Sequence, residues 1–261
     1  MESKSVARYK CEQLEVLVYA DRLAMGKAAA AKVALLIQQH LDEEGEVNIA
    51  FAAAPSQNEF LDALGKMVSI PWERIRAFHL DEYLGLTPNA PQRFSYYLRE
   101  RIFGRVPFME VHYIDLEGKD PPEVICARYR QLLDQYPLHI ACIGIGENGH
   151  IAFNDPPVAD FEDPCKVKVV RLDEACRRQQ VHDGCFSSLE RVPTHAVTLT
   201  IPAIMAAKAV VCVVPGGRKR EAVKRALEGP ITTECPASIL RKHPQAVLFL
   251  DQESASLILG R

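Results

Sequence analysis

A membrane-spanning helix needs about 18 or more consecutive apolar residues, and nothing in this sequence approaches that; the unbroken run Ala209–Val214 has six. The first eight residues, Met1 to Arg8, are charged and lack the apolar core of a secretory signal. The eight cysteines are never close together, the nearest two being Cys176 and Cys185. Zinc and redox motifs space their cysteines about two to four residues apart, so no metal is expected. Cys142 and Cys212 sit inside apolar runs, where the thiol acts as a small hydrophobe, and a reducing cytoplasm is the expected location. There is no excess of one charge either: 31 Lys+Arg stand against 34 Asp+Glu, net −3. A partner with a phosphate backbone would require a basic field, so no nucleic acid is expected, and no membrane. Linkers, repeats and low-complexity tracts are also missing, and residues 1–261 read as one domain.

What is present is an alternation of short apolar runs and helical patterns. Residues 47–51, 75–80, 111–114, 139–144, 196–200, 209–214 and 246–250 read as strands, several apolar almost throughout, as buried parallel strands are. Helices are expected over 22–41, 57–67, 91–103, 121–135, 173–181, 217–228 and 237–242. Strands joined by helix-length crossovers imply an α/β fold: a Rossmann-like, doubly wound, mostly parallel sheet with helices on both faces.

Ligands of such sheets bind outside the carboxyl ends of the strands. Asp81-Glu82 follows the run 75–80; taken alone it reads as a helix cap and a solvated charge. Residues 144–156, Gly-Ile-Gly-Glu-Asn-Gly-His-Ile-Ala-Phe-Asn-Asp-Pro, are more unusual. Gly144, Gly146 and Gly149 permit a tight turn and close approach of a ligand to backbone N–H groups. His150 follows at once and Asp155 five residues later, placing a group that titrates near neutrality beside a carboxylate able to orient it. A buried, satisfied histidine is the alternative. A dinucleotide site is rejected, because the acid expected about 20 residues after the glycines is poorly met by Asp173. Pro215–Lys219 leads from a strand into a helix, where an anion is favoured and Lys219 could supply a point charge; a solvated first turn is the alternative. Arg177 and Arg178 read as solvated.

Residues 144–156, together with Leu80-Asp-Glu-Tyr-Leu-Gly-Leu86, resemble the glucosamine-6-phosphate deaminase (isomerase) family, whose relatives include the 6-phosphogluconolactonases. The likeness runs from about residue 23 to 249, and the continuation Phe153-Asn-Asp-Pro156 is like the deaminases. The resemblance implies conversion of glucosamine 6-phosphate to fructose 6-phosphate with loss of ammonia, without cofactor or metal. It also implies a small sugar phosphate as partner and a homo-oligomer as the common assembly. Asp81 would move the proton between C2 and C1, and His150 would open the ring with Asp155 as its partner and Asn148 beside it. Glu82, Ser56, Gly146, Gly149, Lys219 and Arg93 form the expected substrate-binding set. The alternatives are a 6-phosphogluconolactonase, an isomerase or deaminase of another sugar phosphate such as galactosamine 6-phosphate, and a non-catalytic sugar-phosphate sensor.

Three departures from the family pattern stand out, the third being its phosphate site. Position 148 is Asn where many members carry Asp, and Asp155 stands where Glu is usual, one methylene shorter. The phosphate loop is rewritten as Ala53-Ala-Pro-Ser-Gln57, in which Pro55 has no N–H to donate and Ser56 keeps a hydroxyl. His182 takes the place of an assisting Arg, and Arg93 is the candidate for the missing charge.

Overall fold

The computed structural model describes residues 5–114 and 120–259. In chain order, β1 (Ala7–Cys11) and β2 (Leu14–Tyr19) make an antiparallel hairpin, followed by α1 (Arg22–Glu44) and β3 (Val47–Phe51). A 3₁₀ turn over Pro55–Gln57 leads into α2 (Asn58–Leu64), then β4 (Ile75–His79) and β5 (Asp81–Tyr83). Helix α3 (Phe94–Leu98) continues as a π turn over Arg99–Phe103, before β6 (Glu110–His112), α4 (Pro122–Gln135) and β7 (Ile140–Ile143). Then come β8 (Val167–Arg171), α5 (Glu174–His182), β9 (His195–Leu199), α6 (Ile201–Met205), β10 (Ala209–Val214), α7 (Arg220–Glu228) and β11 (Ala246–Asp251).

Eight strands form one sheet in the order β1-β2-β11-β10-β7-β3-β4-β6, parallel except for the β1–β2 hairpin. Side chains of a strand alternate between faces, and β10 shows it: Ala209, Val211 and Val213 enter one core, Val210, Cys212 and Val214 the other. Helices α1, α2 and α3 cover the first face; α4, α6 and α7 cover the second. The sheet is therefore apolar on both sides. From β3 the chain winds outward to β4 and β6, then returns to β7 on the other flank of β3 and winds out to β10 and β11. The β3–β7 boundary is the switch point, where a crevice opens at the carboxyl ends of diverging connections.

The expected strand 196–200 does not join the parallel sheet. It appears as β9 at the centre of a second, three-stranded antiparallel sheet, β5-β9-β8. The expected strand 75–80 is likewise divided at Leu80, whose carbonyl accepts from Leu199 N–H (2.8 Å) and so hands the chain from one sheet to the other. An apolar run carries no record of which strand it pairs with. The expected helix 237–242 is a 3₁₀ segment over Pro236–Lys242, and the expected helix 91–103 starts only at Phe94. The hairpin β1–β2 has no counterpart in the sequence reading, because Arg8, Tyr9 and Lys10 are exposed on an edge strand and break the apolar pattern. No helix among the described residues is long and apolar enough to cross a membrane.

Candidate active site

A cleft partly open to solvent lies over the switch point. It is lined by the segments that follow β3 (Ala52–Ala54, Ser56, Gln57), β4 (Leu80, Asp81), β7 (Gly144–Gly146) and β10 (Lys219). His150, Phe153, Gln179 and Gln180 close it. The structure thus brings Asp81, His150, Gly146, Ser56 and Lys219 into one cavity, although they are spread over more than half the chain.

Asp81 is buried at the start of β5, opposite Thr198. Burial raises its pKa well above the usual carboxylate range, and the negative charges of Glu82 and Asp155 add to the effect. A carboxylate destabilised in this way is a stronger base than one in water. His79 anchors it from below: its Nδ1–H donates to the Asp81 carbonyl (2.9 Å), and its Nε2 accepts from Ile114 N–H (2.7 Å). Those two bonds suit only the neutral ring, and complete burial lowers the pKa of His79 to about 4.

His150 Nδ1 lies 2.8 Å from Asn148 Oδ1 and 2.9 Å from Asp155 Oδ1. Both neighbours are acceptors, so Nδ1 carries the proton and Nε2 is left with a lone pair for the cleft. Asn148 braces the pair: its Nδ2 donates to Asp155 Oδ1 (3.0 Å), and its Oδ1 accepts from the His150 backbone N–H (3.0 Å). Burial opposes the charge of Asp155, but His150, Asn148 and the Asp173 N–H outweigh it and hold its pKa below the ordinary value. The shorter acid at position 155 therefore still reaches the imidazole.

The glycines around this pair act by different means. A Cβ at Gly146 would sit 2.1 Å from His150 Cε1, so the imidazole occupies the volume that any side chain there would fill. Gly149 has φ +92°, the left-handed region, and a Cβ there would also strike Cys235 Sγ at 2.8 Å.

Lys219 is buried at the end of the 3₁₀ turn Gly217–Lys219, and its ammonium makes no hydrogen bond or ion pair among the described residues. Burial lowers its pKa, while the more distant acids Asp183 and Glu147 pull the other way. Beside it, Gln57 Nε2 donates to Ser56 Oγ (3.1 Å) and to Val213 O (3.1 Å). Ser56 thus accepts from the protein and keeps its own hydroxyl hydrogen for a ligand. The free N–H groups expected at Pro215–Lys219 are partly used, since Gly216 N–H donates to both oxygens of Asp251 (3.0 Å each).

Three expected substrate ligands lie elsewhere. Gly149 is outside the lining, and its N–H, expected to be open to a ligand, donates to Gly146 O (3.0 Å). Glu82 is fully buried, and its carboxylate accepts from the N–H groups of Tyr83, Phe94 and Ser95 at 2.9–3.0 Å. It caps α3 and has no oxygen in the cleft. Arg93 pairs with Glu82 (3.6 Å) and donates to Pro88 O (3.1 Å), facing a separate cavity lined by Tyr96, Arg99 and Tyr113. It is thus not the charge that completes the cleft. His182 is half exposed and contacts Glu147 (3.5 Å), also outside the lining. Arg178 pairs with Glu174 on the surface as a solvated residue would, whereas Arg177 donates to Leu189 O and Val192 O and ties down a loop. Gln57, Gln179 and Gln180 are cleft residues that the sequence reading overlooked. One signal was available: Cys176, Gln179 and Gln180 stand at i, i+3 and i+4, one face of a helix, and all three are buried.

Comparison with known proteins gives this arrangement a family. Residues 20–249 match the family described as glucosamine-6-phosphate isomerases/6-phosphogluconolactonase. The chain belongs to that family. A glucosamine-6-phosphate deaminase of Listeria monocytogenes is 37% identical over 232 residues, covering 89% of this chain and 97% of that one. The solved structure of a monomeric glucosamine-6-phosphate deaminase superposes with a TM-score of 0.83 at 29% identity, covering 93% of this chain and 99% of the other. A 6-phosphogluconolactonase from Trypanosoma brucei superposes at 0.77 with 17% identity over 97% of this chain and all of its own, a likeness of fold.

Proposed function

We propose that this protein is an amino-sugar-phosphate deaminase/isomerase that converts glucosamine 6-phosphate and water to fructose 6-phosphate and ammonia. The observation that carries the reading is the shared cleft: a buried lysine without a counter-ion among the described residues, a buried carboxylate and a paired imidazole face one cavity. An unpaired buried cation is costly, and a phosphate dianion would relieve it. Lys219 and the Ser56 hydroxyl take the phosphate. His150 Nε2 takes the proton of the anomeric hydroxyl and returns it to the ring oxygen, and Asp155 stabilises the imidazolium formed in between. Asp81 then removes the C2 proton, made acidic by the neighbouring C1 carbonyl, while one proton of the C2 ammonium passes to O1; Asp81 delivers its proton to C1, leaving a hydroxyl at C1 and an iminium at C2. Water adds there and ammonia departs, giving the ketose.

The test is ammonia release from glucosamine 6-phosphate, with unphosphorylated glucosamine in parallel. The phosphorylated sugar is expected to react and the free sugar not, and Asp81→Asn should lower the rate by about 10²–10⁴, the range of a positioned general base. If wild type releases no ammonia, the reading fails, and 6-phosphogluconolactone becomes the next substrate to try. Hydrolysis of that lactone moves no proton at C2, so it would survive Asp81→Asn.

A further inference from the structure

Cys176 has no part in that chemistry, yet it lies against the catalytic pair. Its Sγ, a ring nitrogen of His150 and a carboxylate oxygen of Asp155 are all within 4.8 Å of one another, all three residues are buried, and Nδ1 is the ring nitrogen that faces Asp155 (2.9 Å). We propose that His150, Asp155 and Cys176 form a binding site for a thiophilic divalent cation of the Zn²⁺ class, and that filling it switches off the reaction.

The donor set decides the class of ion. Imidazole nitrogen, thiolate sulfur and carboxylate oxygen suit Zn²⁺ and its neighbours, whereas Mg²⁺ and Ca²⁺ prefer oxygen alone. Ligands about 2.0–2.3 Å from a tetrahedral zinc stand roughly 3.2–3.7 Å apart. The His150–Asp155 separation of 2.9 Å is close to that spacing, so most of the adjustment falls on the sulfur. Asn148 Oδ1, 2.8 Å from His150 Nδ1, is in reach as a neutral fourth donor. Charge balances too: one thiolate and one carboxylate neutralise a divalent cation, so the occupied site is neutral where the empty one carries the single negative charge of Asp155. Cysteine spacing could not reveal this site, because its ligands stand at 150, 155 and 176.

Binding is an acid–base exchange without oxidation or reduction. The S–H bond of Cys176 breaks, the sulfur pair goes to the cation and the proton leaves to solvent. The His150 proton moves from Nδ1 to Nε2, and the Nδ1 lone pair goes to the cation. One proton is released per cation bound. The functional consequence rests on the reaction proposed above: Nε2, which offers a lone pair to the cleft, becomes an N–H and can no longer accept a proton. Lys219 and Ser56 are untouched, so occupancy should remove kcat and leave KM nearly unchanged.

Co²⁺ provides a test that needs no substrate. Titrated into the metal-free full chain, it should bind one equivalent, release one proton and produce a near-ultraviolet thiolate-to-cobalt absorption that Zn²⁺ abolishes by displacement. Cys176→Ser should lose that absorption and bind Co²⁺ at least about 100-fold more weakly, the upper range for losing a mere supporting group. Cys165→Ser, at an exposed cysteine, should keep both. Absence of the absorption in wild type, or its persistence in folded Cys176→Ser, overturns the site. In the ammonia assay, the Zn²⁺ concentration for half inhibition, referred to each protein's metal-free rate, should rise about 100-fold in Cys176→Ser; equal inhibition of both proteins overturns the switch. A chain that shows the cobalt absorption but releases no ammonia keeps the site and loses the proposed reaction.

Discussion

On one side of the cleft, Asn148, His150 and Asp155 bond to one another, and Gly146 is hollowed out to seat the ring. On the other side, Lys219 reaches the same cavity with no partner among the described residues, next to a serine hydroxyl. The first group is complete without ligand and the second is not. This difference is what the proposed roles require. A base must have its tautomer and orientation set before the substrate arrives, whereas a group that binds a dianion gains most when nothing in the protein already neutralises it. The comparison also explains why the rewritten loop 53–57 is compatible with anion binding. The lost backbone donor at Pro55 belongs to the incomplete side, where Lys219 and Ser56 remain.

The largest effect is expected at the seat of the imidazole. Gly146→Ala puts a methyl group 2.1 Å from His150 Cε1, which forces the ring off Asp155 and should lower kcat by about 10³, within the span of general acid–base catalysis. Near-normal kcat would mean that the seat is softer than its geometry. Next comes the unpaired side: Lys219→Met should reduce kcat/KM by roughly 10–100-fold, the worth of a hydrogen bond to a charged group, mostly through KM. A loss confined to kcat would move Lys219 from binding to chemistry.

The support under Asp81 should appear in stability and pH. His79 titrates at an ordinary 6.5 when unfolded and about 4 when folded. Between those values the unfolded chain binds the extra proton, so this contribution is intact above pH 6.5 and is lost as pH falls towards 4. His79→Leu should unfold about 2–4 kcal/mol more easily at pH 7, because Ile114 N–H and the Asp81 carbonyl lose their partner. It should also lose stability less steeply between pH 6.5 and 4, as urea titrations at several pH values would reveal. The smallest effect is expected at Arg93. Arg93→Ala removes a contact to Glu82 outside the cleft, so KM should change less than about twofold; a large rise would return Arg93 to the phosphate.

The α/β class and most central elements were legible in the sequence because buried parallel strands are apolar throughout and amphipathic helices have their own period. The loop 144–156 was legible for a similar reason. Its glycines, histidine and acid act on each other across five positions, so their spacing already contains the geometry. Glu82 was misplaced because a charged residue after a strand reads alike whether it meets substrate or caps a helix twelve residues on, and Arg93 because its partner, Glu82, stands eleven positions away along the chain. Gln179 and Gln180, which line the cleft, and Cys176, which lies against His150 and Asp155, were passed over because they come from α5, which no local pattern links to β7. By itself, then, the sequence determined the elements and the chemistry of one loop, since both depend on residues near one another along the chain. The winding at β3–β7, the second sheet, the unpaired state of Lys219 and the approach of Cys176 to the imidazole were decided only by the tertiary structure, because each is a relation between residues brought together by burial.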